Sequence, residues 1–386
     1  MTTFSDSSKF SQRTGSHKQQ SQTFAGFDFL RAVFAIAIVA LHCYLFFPGS
    51  LKVGAVSIGN ILRANVAYLA VPVFFQISLF LFYLKSEKAG SRYLFQKRLP
   101  KLASLYLFWV GLFTFFNIFV NGTFESLQNS FSSIKASIEF IVSGGNSPLY
   151  FFFSLAFITV IAEGIVLGLG KIKKDILKNS ILYIFLGASC ALLVVFLFLR
   201  APEALFEDVP GFVKSLSSFS QWAYNPLNFL PYIFTTAIVV REYRLGLLRA
   251  ENSRFRLKLL TLIALFLTFT ILEWVFSLEP TSSQPLLHYS RLSLVFGSWI
   301  LLYLAILSNR AVPKFVRFIS DCSLGIYTLH LFFTYGLFEN PAFVAFNPAS
   351  QSSLNLTILF QFGVTLLASI GLTMLFRRVK FLKGFV

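Results

Sequence analysis

Arg31 and His42 lie eleven residues apart in one apolar run, FDFLRAVFAIAIVALHCYLFF. At 100° per residue they fall about 20° from three whole helical turns, so both leave the same helix face, separated by roughly 16 Å of rise. A guanidinium binds anions through a planar fork, and an imidazole is the side chain suited to moving a proton near neutral pH. Inside a bilayer such a face turns to a protein-lined cavity rather than to lipid.

Other polar residues recur in comparable surroundings. Glu273, His288 and Arg291 are expected at the depth of His42, near the outer ends of two later apolar runs. Glu273 there would either orient a histidine or close an ion pair with Arg291, and an open Arg291 would stabilise an oxyanion or bind an acceptor. Tyr327 and His330 stand three apart and share a face. Asp28 is spaced to pair with Arg31, whereas Glu163 and Asp321 suit helix-end hydrogen bonding or charge pairing, Asp321 close to the inner mouth.

The elements that carry these groups follow from composition. The 386 residues are 56% hydrophobic and 13% charged and include 50 phenylalanines, the make-up of a polytopic membrane protein. Ten helical spans are expected at 27–47, 66–84, 102–120, 148–170, 180–199, 226–240, 259–278, 287–307, 318–338 and 356–376. They form one all-α bundle around a polar cavity. Of the 33 Lys and Arg residues, 26 fall in segments that alternate to one side. This places both termini in the cytoplasm; the membrane expected is the plasma (inner) membrane. Lys85, Lys88 and Arg92 read as topology determinants.

The net charge of +17 is accounted for by these loops, and no zinc-finger or RNA-binding signature points to nucleic acid. Residues 1–23, rich in Ser, Thr, Gln and Lys, read as a disordered cytoplasmic tail before a membrane domain over 24–380. Cys43, Cys190 and Cys322 have neither metal-ligand nor disulfide spacing, and Cys43 points about 100° away from His42, so no metal site or activated thiol is expected. The stretch 131–142 is amphipathic.

Four segments in order resemble the membrane-bound acyltransferase 3 family. They are Phe27-Asp28-Phe29-Leu30-Arg31-Ala32 with His42 at the family's distance, Val71-Pro72-Val73-Phe74-Phe75-Gln76-Ile77-Ser78, Gln96-Lys97-Arg98-Leu99-Pro100-Lys101, and Ser323-Leu324-Gly325-Ile326-Tyr327-Thr328-Leu329-His330. The chain departs from the pattern at Lys101, where a second Arg is usual, at Leu79, where Gly usually follows, and in having a single histidine at 42.

The resemblance implies transfer of an acyl group, commonly acetyl from acetyl-CoA, to a hydroxyl of a carbohydrate, glycolipid or similar extracytoplasmic acceptor. No permanently bound cofactor is implied; acyl-CoA is a co-substrate. On this reading Arg31, Arg98 and Lys101 hold the CoA end and His42 is the general base. Asp28, Ser78, Glu273, Arg291, Tyr327 and His330 are further candidates for the pocket or its support. The gap between Arg31 and His42 suits an extended pantetheine arm of roughly 15–20 Å. The competing expectation is a carrier or flippase for a glycolipid or small anion, with Arg31, His42, Glu273 and Arg291 lining its path.

Overall fold

The computed structural model describes residues 24–46, 52–53, 56–199, 210–222, 224–249, 251–278, 289–338 and 356–386. The expected tail, 1–23, and His288 lie outside these residues. Ten helices of fifteen residues or more account for most of what is described. They are α1 (Ala25–His42), α2 (Ala70–Ala89), α3 (Leu99–Asn121), α4 (Tyr150–Gly170), α5 (Asp175–Phe198), α6 (Leu230–Arg244), α7 (Ser253–Leu278), α8 (Leu292–Leu307), α9 (Lys314–Leu331) and α10 (Leu356–Arg378). Each coincides with one expected span, and a two-residue strand pair, Lys52–Val53 with Val56–Ser57, is the sheet among the described residues.

Among the described residues, seven helical stretches are long and apolar enough to cross a membrane. The three that fall short, α6, α8 and α9, are the more polar or shorter helices of the interior. Enclosed by protein, such helices need no apolar face all round. Helix α1 packs against α2, α8, α9 and α10, and α6 against α2, α4, α5 and α8. Around them α3, α5, α7 and α10 expose large apolar side chains such as Leu107, Ile184, Leu260 and Leu367. That periphery faces hydrocarbon in an integral membrane protein.

Local chemistry sets the ends that matter. Pro100 sits in the first turn of α3 and Pro231 in that of α6, where the missing N–H has no intrahelical partner to lose. Gly122, at φ 64°, terminates α3 in the left-handed region that glycine enters without strain. Two interior glycines permit close approach. A Cβ on Gly26 would collide with the Ala305 backbone of α8, and one on Gly325 with Thr373 of α10.

Helix α1 ends earlier than its apolar run. Tyr44 takes φ 57°, the chain turns over 43–46, and His42 becomes the last helical residue rather than an interior one. Among the described residues two stretches are π-helical: Leu94–Arg98, ahead of α3, and Phe332–Leu337, continuing α9. Each inserts extra backbone into a turn, and such stretches concentrate where side chains must be re-aimed.

Candidate active site

Two cavities of about 450 Å³ each open into the bundle on either side of a thin septum. Ile38 of α1, Val71 of α2 and Tyr327 of α9 line both, so these three side chains form the septum. Tyr327 is held there: its hydroxyl donates to the Pro148 carbonyl, and its ring meets Phe151 edge-on at 5.2 Å.

The first cavity contains Arg31, Ser78, Lys85, Arg98 and Asp321. The π-helical turn brings Arg98 inward, where its guanidinium donates to Ser78 Oγ while its buried Nε has no hydrogen-bond partner among the described residues. Asp28 accepts from Ser320 Oγ at 2.9 Å; among the described residues no ion pair links it to Arg31. Among the described residues the cavity is thus lined by three cationic side chains and one acidic side chain, Asp321, with Val386 also at its wall, a side-chain balance that favours an anionic ligand.

Lys101 does not join them. Its Nζ donates to the Gly384 carbonyl and lies 5.9 Å from the Phe385 ring centroid. The cause is the return of the chain after α10: Phe385 stacks on Phe108, and Trp109 Nε1 donates to the Phe385 carbonyl at 3.0 Å. Although only three residues beyond Arg98, Lys101 is drawn to this segment and does not line the cavity. Lys85, expected to matter only for topology, lines the cavity.

The second cavity is lined by His42, Arg63 and a group of tyrosines that includes Tyr68, Tyr150, Tyr289 and Tyr335. His42 Nδ1 is 3.0 Å from Tyr335 Oη, and its ring stacks on His330 with centroids 5.2 Å apart. His330 is fully buried. Its Nδ1 lies 3.0 Å from the Ile326 carbonyl and so must carry the proton, which leaves a lone pair on Nε2. That Nε2 has no hydrogen-bond partner among the described residues. Tyr224, at the rim, donates to Glu139 Oε1 at 2.8 Å; burial first, then this bond, pushes its phenol pKa up and keeps the proton on.

Nothing in the sequence singled out Tyr335. In a regular α-helix it would stand about 140° around from His330. The π-helical winding, with hydrogen bonds from i to i+5, returns it to the histidine side. Arg63 lies between two apolar runs and belongs to none of the four motif segments.

Glu273 and Arg291 lie apart from both cavities, closed into an ion pair. Arg291 Nε donates to Glu273 Oε2 at 2.8 Å, and the same guanidinium donates to Ala64 O, Asn65 Oδ1 and Ser293 Oγ at 2.7, 3.0 and 3.1 Å. Glu273 also accepts from Ser293 N at 3.0 Å and Ser293 Oγ at 2.5 Å. Both side chains are buried with their hydrogen-bonding positions engaged. Of the two roles expected for them, the pair takes the structural one: neither reaches His42 nor lines its cavity.

No curated protein and no solved structure matches the chain. A family model described as an acyltransferase domain matches residues 24–377, nearly the whole sequence. With two polar cavities divided by one septum in an apolar bundle, the chain belongs to the acyltransferase 3 family and is an integral membrane acyltransferase.

Proposed function

We propose that this acyltransferase moves an acyl group, acetyl in the simplest case, from acyl-CoA in the first cavity to a hydroxyl of an extracytoplasmic carbohydrate or glycolipid in the second. The observation that carries this reading is the septum. A cationic chamber and a histidine chamber share Ile38, Val71 and Tyr327, so a long thin donor anchored in one needs to pass only these side chains to reach the other.

In this reading ten spans put both termini in the cytoplasm of a cell whose plasma membrane holds the protein, and the basic chamber opens inward. Arg31 and Arg98 bind the CoA phosphates, assisted by Lys85, with Ser78 orienting Arg98. Lys101 braces the C-terminal segment instead of the donor. The pantetheine arm displaces Tyr327 from Pro148 and presents the thioester beside His42.

His42 donates Nδ1–H to Tyr335, which leaves the Nε2 lone pair for the acceptor hydroxyl. As the hydroxyl oxygen attacks the thioester carbonyl, its proton moves to Nε2 and the C–O bond forms. The tetrahedral adduct then collapses with cleavage of the C–S bond. The proton passes from imidazolium to the departing sulfur, so the products are the ester and CoA thiol. His330, packed against His42, fixes the plane of the ring and is a positioning residue.

The test is release of free CoA from acetyl-CoA by purified protein in nanodiscs, with and without a membrane-glycan extract. Release that needs the extract and is lost in His42→Ala supports the reading. A folded protein that releases no CoA with any acyl-CoA overturns it. A carrier would use Glu273 and Arg291 in its path, and their closure into an ion pair away from both cavities argues against one.

A further inference from the structure

The second cavity holds a charged group for which the acyl transfer has no use. Arg63, on the helix Ile58–Asn65, lines it alongside His42, and among the described residues the lining contains neither Asp nor Glu. Among the described residues no carboxylate forms an ion pair with Arg63. Its nearest polar partner is a phenol: NH2 donates at 3.4 Å to Tyr68 Oη, and the guanidinium carbon lies 6.0 Å from that ring. Arg63 therefore brings a permanent positive charge into a neutral, tyrosine-rich chamber, where Coulomb attraction is screened less than in open water.

The mount beneath Arg63 is rigid. Arg291 donates to Ala64 O and Asn65 Oδ1, the two residues that follow Arg63, and Glu273 holds Arg291. The buried ion pair of α7 and α8 thus clamps the end of the short helix that aims Arg63. The same clamp removes Arg291 from competition, because its donors are already engaged.

We propose that Arg63 recognises an oxyanion on the acceptor, so that this enzyme acylates an acidic glycan in preference to a neutral one. The inference rests on the reading of the second cavity as the acceptor site. The planar guanidinium fork matches a carboxylate or phosphate, and the tyrosine faces and hydroxyls suit the apolar and polar sides of sugar rings. With its anion held by Arg63, the sugar has one orientation in which a hydroxyl faces His42. The oxyanion belongs either to an acidic sugar or to the phosphate of a lipid-linked one.

Binding without donor tests this independently of catalysis. The probes are a glucuronate-terminated disaccharide, its glucose-terminated counterpart, and that glucose counterpart linked to polyprenyl phosphate. Each is titrated into wild type, Arg63→Gln and Arg63→Lys in nanodiscs. Wild type should bind one of the two anionic probes at least about tenfold more tightly than the neutral disaccharide, the size of one charge-assisted hydrogen bond. Whichever anionic probe carries the preference names the source of the oxyanion.

The preference should fall to within about twofold in Arg63→Gln, return in part in Arg63→Lys, and weaken with added salt. Equal binding of charged and neutral probes by wild type, or a preference that survives in monodisperse Arg63→Gln, overturns the proposal. If Arg63→Gln does not fold, salt dependence in wild type and Arg63→Lys decides, and a preference indifferent to salt overturns it. A protein that binds the acidic probe through Arg63 but releases no CoA breaks the reading of His42 as a base and leaves the role of Arg63 standing.

Discussion

The Arg98 pocket and the Glu273–Arg291 pair both draw a guanidinium group into the bundle, and they differ in what is left over. Arg291 has Glu273, Ser293, Ala64 and Asn65 around it and its hydrogen-bonding capacity is used. Arg98 has Ser78, and its Nε is buried without a partner among the described residues. A buried polar group that finds no neighbour in its own chain carries a desolvation penalty that a ligand can relieve. Charge inside a membrane protein therefore marks a ligand site only where the local structure leaves it unsatisfied; otherwise it marks a brace.

That distinction can be broken at several points. His42→Ala should lower acyl transfer by about 10²–10⁴-fold, the range for loss of a general base, as measured by CoA release with acceptor present. A smaller loss would mean that the histidine chamber is a brace like the Glu273 site. Glu273→Gln should cost stability, about 3 kcal/mol for an uncompensated buried cation. Thermal unfolding in detergent reads this, and a double change of Glu273 and Arg291 to apolar residues should recover most of it.

Arg98→Ala should raise KM for acyl-CoA by roughly tenfold or more, as expected for a charge-assisted contact, with a smaller change in kcat. Lys101→Ala should shift the same KM by less than about twofold, since its partners are Gly384 and Phe385. Equal effects at 98 and 101 would undo the separation. Between these two falls Tyr335→Phe, expected to lower kcat about fivefold with KM unchanged, because the hydrogen bond between Tyr335 Oη and His42 Nδ1 is lost.

The span pattern was legible because it depends on length and apolarity alone. A helix that crosses hydrocarbon needs about twenty apolar residues; each of the ten expected spans coincides with a helix, and among the described residues seven helical stretches meet that length and apolarity. Ends were less legible. The apolar run through 47 conceals the turn at Tyr44, which makes His42 terminal, because hydropathy carries no signal for a left-handed residue. Arg31 and His42 do share a helix face, yet they open into different chambers, and the septum between them involves α2 and α9, which no local pattern in α1 reveals.

By itself the sequence determined the membrane class, the positions of the long helices and the motif set that resembles the family, since each is a property of local composition or spacing. Only the tertiary structure decided which polar residues are partnered. Glu273 and Arg291 are eighteen residues apart and closed on each other. Lys101 is held by a carbonyl 283 residues away, and Tyr335 reaches His42 across 293 residues through a π-helical turn. Satisfaction of a buried charge is settled by neighbours from distant parts of the chain. The residues left open to a ligand are therefore visible only once the helices have packed.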